Sequence, residues 1–562
     1  MPKIERRPML PGADAWHWPD GMHRVLRQVL SRRTLASTEE LSLDLRHLTP
    51  VGEFRALDAA VELLCRHRAG TVVVVGDFDA DGATSTALMF LTLRALGFAD
   101  VKYFIPDRFE LGYGLTPEVV ERTRRFSPAL IVTVDNGVTS VAGVEAARAA
   151  GIDVLVTDHH LPGAVLPRAN VLVDPNLPGD PFSGKHLAGV GVAFYLLAAL
   201  GKALDLPRAV LESLDLVALG TVADLVRLDR SNRILVSQGL KRIRAGRCRP
   251  GLKALVELAG GRLGDVTAAT LGFQIGPRLN AAGRLDDMSI GVRCLVTDDQ
   301  AEARELASRL DSLNRERREL EARMQEEALE LVAAAETLDG GALPAVVCLK
   351  HEDWHPGLVG LIASRIKDRY FRPTFAFAPA EGGRVKGSGR SIPGFHLRDA
   401  LAEVAACEPE LIERFGGHAM AAGLTLAPGA FEAFASAVEG VARRCLGPDA
   451  FADRVLTDGE LTPEDLCVEV AALLRDAGPW GQGFPEPCFD GRFEVLGRRV
   501  LKEEHLKLTV RPVGGRETVE AIAFRRAGEP LDGSEVVLAY RLEVNDYFAT
   551  PRVQLVVEHI ER

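Results

Sequence analysis

The sequence predicts an α/β protein in three folded parts. A parallel-sheet domain comes first, then a smaller α/β domain reached through a long helix, then a C-terminal β-barrel. Three observations carry this. Between residues 51 and 188 short β-branched runs alternate with helical segments, and four runs end in acidic or imidazole groups. Such alternation implies a doubly wound parallel sheet with those ends along one edge. From Thr297 to Thr337 the chain is heavily charged, with Leu306, Leu310, Leu313, Leu320, Met324, Ala328 and Leu331 at helical spacing. After about residue 455 the texture turns to β-rich runs.

Residues 1–50 mix proline, tryptophan and charge, and read as an arm that packs on the body. A helix from Gly52 to Arg68 leads into four valines, Val72 to Val75. An apolar run without alternation suits a strand buried on both faces. Gly76 ends it, and Asp77, Asp79 and Asp81 follow at spacing two. Extended backbone would turn all three to one side, at the place where open α/β sheets bind ligands. Spacing alone leaves two readings, a metal site or a solvated acidic turn.

Val101–Ile105 reads as a strand, and Pro117–Phe126 as a helix with proline in its first turn. Leu130–Val134 ends in Asp135-Asn136-Gly137, Val154–Thr157 in Asp158-His159-His160, and Val171–Val173 in Asp174. Helices over Gly189–Leu200 and Leu211–Ala223 follow, the second ending at Asp224. Gln274–Arg284 reads as a polar loop. Thr297–Thr337 reads as one connecting helix, or as two broken near Asp311. Then come a strand at Ala345–Leu349, a helix at Leu358–Tyr370, a strand at Thr374–Ala378, and glycine-rich stretches at 387–391 and 416–423. Five runs (493–501, 505–510, 518–524, 536–545, 551–559) suit a small barrel of the oligonucleotide-binding type, though a sandwich edge would look alike. The expected boundaries are an arm 1–50, a catalytic domain 51–297, a connecting helix 298–338, an accessory domain 339–452 and a barrel 453–562.

Length fits three or four domains at ~100–200 residues each. The net charge of −11 offers no general attraction for nucleic acid, so any such site must be a local basic groove. Eight scattered cysteines without a C-x-x-C pair point to a reducing compartment and against a thiolate zinc site. The N-terminus lacks an apolar signal core, and no apolar run reaches ~18 residues. A cytoplasmic protein without a membrane span is expected.

Asp77, Asp79, Asp81, Asp135, His159, His160 and Asp224 together are a mixed oxygen and nitrogen donor set for two cations. That set suits Mn²⁺, with Mg²⁺ the alternative. Paired cations of this kind serve phosphoester hydrolysis.

Asp77-Phe-Asp79-Ala-Asp81-Gly, Val134-Asp135-Asn136-Gly137, Asp158-His159-His160 and Gly220-Thr-Val-Ala-Asp224 resemble, in order, the four metal motifs of the DHH phosphoesterase family. Gly276-Pro-Arg278-Leu-Asn280-Ala-Ala-Gly-Arg284 resembles the fifth motif of that family's RecJ branch. His355-Pro356-Gly357 and Gly416-Gly417-His418 resemble its DHHA1 accessory domain, and the C-terminal β unit its barrel. The resemblance implies a 5′→3′ exonuclease specific for single-stranded DNA. It would release 5′-mononucleotides and act in recombination and repair.

By the same resemblance, two Mn²⁺ or Mg²⁺ ions bind Asp77, Asp79, Asp81, Asp135, His159 and Asp224. The family's first motif often opens with a histidine where this chain has Val75; whether Asp77 replaces it stays open. Catalysis would use His160, Asp135 and Asp158. His160 either donates to a phosphate oxygen or helps protonate the leaving group, and Asp158 orients the imidazoles. Phosphate and DNA contacts fall to Arg278, Asn280, Arg284, His355, Ser388, Arg390, Ser391, Gly417 and His418, since cationic and backbone donors must face the growing negative charge. Tyr113, and after it Phe109, would stack bases. Lys502 and Lys507 are barrel candidates. Single-stranded DNA is the implied partner, with a single-strand-binding protein and a helicase; the chain would act as a monomer. Two rivals are a related phosphoesterase for short or cyclic nucleotides and a non-catalytic nucleic-acid scaffold. The fifth motif and barrel argue against the first, and the intact metal motifs against the second.

Overall fold

The computed structural model describes residues 3–108, 110–338, 343–528, 535–546 and 550–561. They form two compact units, one built on residues 315–455 and the other on 4–314 together with 456–562.

The larger unit contains a five-stranded sheet. Its spatial order is Asp100–Phe104, Thr71–Val75, Leu130–Val134, Asp153–Thr157 and Val171–Val173, and every pairing is parallel. The valine run is the reason the sheet is two-sided. Val72 and Val74 enter one core and Val73 and Val75 another, all fully buried. The chain leaves Thr71–Val75 first to one side and then returns to the other. The ends of Thr71–Val75 and Leu130–Val134 therefore flank the topological switch point, where such sheets open a crevice.

Two local expectations are corrected. Residues 77–81 are not extended, because a helix starts at Ala80 and runs to Ala95. Asp79 is its N-cap, with Oδ1 accepting from Gly82 N at 3.0 Å; an aspartate there satisfies an amide that the helix leaves open. Residues 274–284 are not a loop either. A π-helical turn, Thr270–Ile275, passes into an α-helix, Gly276–Leu285, with proline in its first turn. The connecting segment is one unbroken helix, Gln300–Leu338, whose first part belongs to the larger unit and whose remainder belongs to the smaller.

The smaller unit carries a second sheet, in the order Ile412–Gly417, Ala421–Leu426, Val385–Arg390, Thr374–Pro379 and Val347–Lys350. Both glycine-rich stretches are strands in it. A Cβ on Gly387 or Gly389 would lie 2.3 or 2.5 Å from the rings of Phe377 and Phe375. Close packing, not a turn, requires glycine there.

The C-terminal barrel is closed, in the order Phe489–Leu501, His505–Pro512, Val519–Ala523, Arg552–Glu561 and Glu535–Asn545. It shares one hydrophobic core with one face of the parallel sheet. The N-terminal arm joins them. Arg33 donates to both oxygens of Asp458 at 2.6 and 2.8 Å and through Nε to Pro485 O at 2.9 Å. All eight cysteines are free. Among the described residues no helix is long and apolar enough to cross a membrane.

Candidate metal centre

The edge of the larger sheet gathers three overlapping donor groups. Asp77, Asp79 and Asp135 form one, Asp81, His159 and Asp224 a second, and Asp135, His159 and His160 a third, each with ligand atoms within 4.8 Å of one another. The three aspartates of the first motif thus divide between groups instead of forming one wall. The helix start at Ala80 is the cause, since it turns Asp81 away from its two neighbours. Asp135 and His159 join the groups. His159 Nε2 lies 3.0 Å from Asp135 Oδ1, 3.6 Å from Asp224 Oδ2 and 4.0 Å from Asp81 Oδ2.

Backbone devices hold these groups. Asp81 accepts from Gly189 N at 2.6 Å and Val190 N at 3.0 Å, at the positive end of the helix Gly189–Ala203. Gly189 has to be glycine, because a Cβ would lie 2.6 Å from Asp135 Cβ. Gly220 is constrained in the same way by Thr84 Oγ1 and Asp81 Oδ1, at 2.2 and 2.9 Å. Asp135 holds a left-handed φ of 62°, a conformation that costs ~1–3 kcal/mol outside glycine. Beside it Asn136 Nδ2 donates to Val75 O and Val134 O at 3.2 and 2.9 Å, fastening the two strand ends. Asp224 is the C-cap of Leu214–Ala223.

Asp158 enters none of the three groups. Its Oδ2 accepts from Val138 N at 2.8 Å. Its Oδ1 accepts from His159 N and His160 N at 2.8 and 3.2 Å and lies 2.7 Å from His160 Nδ1. It positions both histidines. Burial opposes a charge on His160, but the Asp158 hydrogen bond and nearby carboxylates outweigh it and raise the imidazole to about 9.

The donor set fits divalent cations. Burial first, then neighbouring carboxylates, push Asp77, Asp135 and Asp224 well up, and Asp81 to about 7. Asp135 Oδ1 is buried, and its 3.0 Å contact with His159 Nε2 is not aligned as a hydrogen bond. Crowded buried acids are costly as anions unless a cation neutralises them. Carboxylate oxygens with one or two imidazoles, and no thiolate, are what Mn²⁺ or Mg²⁺ takes.

Other expected residues sort by location. Tyr113 is at the centre, its hydroxyl 3.4 Å from both Asp135 O and His160 Nδ1. Its ring meets His160 and Phe78 edge-on at 6.0 Å. Phe109 lies outside the described residues. Arg108 was not anticipated. It stands 4.4 Å over the Phe78 ring and feels the charges of Asp77 and Asp79. The signal was available, since Asp107-Arg108 follows a strand end on the same edge. Asn280 Oδ1 accepts from Ala80 N at 2.7 Å. Arg278 donates to Asp311 Oδ1 at 2.9 Å and to Gln274 O at 2.5 Å. Arg284 lies in the last turn of the same helix.

In the smaller unit Arg390 donates to Ser388 Oγ at 2.9 Å. Both border the first turn of the helix Val359–Tyr370, where a Cβ on Gly360 would meet each at 3.0 Å. His355 Nδ1 accepts from Gly357 N at 3.1 Å just before that helix. Ser391 is buried and donates to Phe395 O at 2.6 Å. Gly417, at φ 141°, and His418, whose N donates to Ala421 O at 2.8 Å, form the turn between the two last strands.

Comparison with known proteins follows the same division. The DHH family N-terminal domain matches residues 71–221, the DHHA1 domain 342–444 and the RecJ OB domain 457–559. The single-stranded-DNA-specific exonuclease RecJ of Salmonella typhimurium is 50% identical, covering 96% of both chains. That of Escherichia coli is 49% identical over the same shares. Among solved structures, RecJ of Thermus thermophilus in complex with Mn²⁺ superposes with a TM-score of 0.81 at 32% identity, covering 100% of this chain and 79% of that one. Its complex with Mg²⁺ gives a TM-score of 0.76 at 31% identity, covering 100% and 78%.

Proposed function

The chain belongs to the RecJ family of single-stranded-DNA-specific exonucleases, and from that premise and the geometry of its donor groups we propose how it works. It is a metal-dependent exonuclease that hydrolyses single-stranded DNA and serves recombination and repair. Two Mn²⁺ or Mg²⁺ ions bind at the sheet edge. Asp77, Asp79 and Asp135 would hold one, and Asp81, His159 and Asp224 would hold the other. Asp77 is a direct ligand in this assignment. When bound, the ions neutralise phosphate charge and activate the attacking water.

The chain's own residues do the rest. His160 presents its Nε2 proton to the scissile phosphate. Asp158, at its Nδ1, fixes the ring and keeps it protonated. The Tyr113 hydroxyl lies 3.4 Å from the same nitrogen. Arg390 and Ser388, beside a helix N-terminus, offer a phosphate seat, and Arg284 is a further cationic donor. We assign 5′→3′ polarity with release of 5′-mononucleotides. We further propose a cytoplasmic monomer that works with a single-strand-binding protein and a helicase.

The observation that carries this reading is the sharing of Asp135 and His159 among three donor groups. The test is incubation of single- and double-stranded DNA, labelled at one end or the other, with Mn²⁺ present or removed by chelation. Loss of label as mononucleotide from the 5′ end of single strands only, and only with metal, is expected. Activity in excess chelator removes the two-ion reading; release from the 3′ end removes the polarity. Asp135→Ala should abolish hydrolysis, and persistent cleavage by it would count equally against the site.

A further inference from the structure

Two exposed apolar side chains directly follow residues of the metal centre in the chain. Leu161, 53% exposed, directly follows His160, and Leu225, 66% exposed, directly follows Asp224. Leu225 is held there at a left-handed φ of 61°, a region that penalises a branched residue. Phe273 is 74% exposed, the highest value among the large apolar side chains described. It rides on the π-helical turn Thr270–Ile275, and such turns recur at functional sites.

That turn is packed on the end of the helix that presents Asp224. A Cβ on Gly272 would lie 3.1 Å from Val222 Cγ1, and one on Gly276 3.2 Å from Ala223 Cβ. Gln274 O is fixed from behind by Arg278, which is itself anchored to Asp311. Phe273 is therefore an aromatic ring raised into solvent on a braced backbone, a few residues through space from a metal ligand. A ring left in water beside a nuclease centre forgoes the gain of burial, so an occupant that covers it is called for.

We propose that Phe273 is a stacking platform for a nucleobase of the bound single strand. The occupant is argued from continuity with the phosphate-cleaving centre. Every base has a π-face, so stacking binds single strands without reading sequence, whereas bases stacked within a duplex are unavailable to it. The inference rests on the exonuclease reading above.

Initial-rate hydrolysis with Mn²⁺ tests it, using intact single strands and strands with one abasic nucleotide scanned through the end being cut. In the wild type one abasic position should raise KM about tenfold. Phe273→Ala should raise KM by a similar factor on intact strands and lose that abasic penalty, and Phe273→Trp should restore both. A Phe273→Ala enzyme with wild-type KM, or with an undiminished abasic penalty, overturns the proposal while leaving the exonuclease reading intact. A wild type that leaves single strands uncut overturns both.

Discussion

Asp135, like His159, belongs to two of the three donor groups, and it does so in a conformation that glycine would favour. Gly189, at the start of the helix Gly189–Ala203, makes that tolerable by leaving space. Adding one methyl there forces an approach of 2.6 Å to Asp135 Cβ and disturbs the amide that Asp81 accepts from. Gly189→Ala should lose ~1–3 kcal/mol of stability and about a hundredfold in turnover, since small misplacements of reacting groups are that costly. Titration with Mn²⁺ should show weakened binding; a variant with wild-type Mn²⁺ affinity would mean the glycine is only a packing residue. His160 gives the second residue-scale expectation. Its imidazole is raised to about 9, so the protonated donor persists through neutral pH and is lost as pH rises through that value. Asp158→Asn removes a partner that raises it, so the alkaline limb of the kcat profile should move to lower pH. A limb that stays in place would show that another group titrates. These residues were legible in the sequence because strand ends place carboxylates and imidazoles on one edge. The role of Gly189 was not legible, because nothing local reports a neighbour from 54 positions earlier.

Between residues 274 and 285, composition pointed to the wrong element. Glycine, proline and asparagine argue for a loop on local propensity, yet the segment is a helix. The tertiary fit decides it. A Cβ on Gly283 would lie 1.7 Å from Phe78 O, and Asn280 caps the amide of Ala80. Both residues serve the close approach of this helix to the first metal motif. Arg278 completes the arrangement in a nearly buried pair with Asp311. Removing one partner of such a pair costs ~3–5 kcal/mol, mostly by stranding the other charge. Arg278→Ala should therefore lower thermal stability by about that much, and Arg278→Met with Asp311→Leu should recover part of it. A residue used mainly for phosphate would behave differently, with unchanged melting and a raised KM. By contrast, the connecting helix and the barrel strands were readable to within a few residues, because long periodic patterns outweigh boundary noise.

At the scale of the whole molecule, domain order along the chain misleads about cooperativity. The C-terminal barrel reads as a separate nucleic-acid module, but it belongs to the same compact unit as the catalytic sheet. Arg33 and Asp458 tie the N-terminal arm to it, and both side chains are completely buried. Arg7 adds a second bond to Asp458 at 3.0 Å. Leu228 N, next to the catalytic helices, donates to Gln482 O at 2.7 Å. Truncation at Val455 should therefore unfold the catalytic unit as well as remove the barrel. Asp458→Ala should reproduce much of that loss, ~3–5 kcal/mol, by leaving Arg33 charged and buried; thermal melting that matches the wild type would refute the coupling. Whether the barrel also touches DNA has to be asked without deleting it. Arg499 and Lys502 are exposed on its surface, whereas Lys507 is engaged by Glu520 at 2.8 Å. Arg499→Glu with Lys502→Glu should leave melting unchanged and weaken binding of long single strands more than that of short oligomers. The salt dependence of long-strand binding should also flatten by about 0.7 for each phosphate that is no longer neutralised. Equal affinities for long strands, with an unchanged salt slope, would take these two cations out of the DNA path and leave the barrel as a structural support of the catalytic unit.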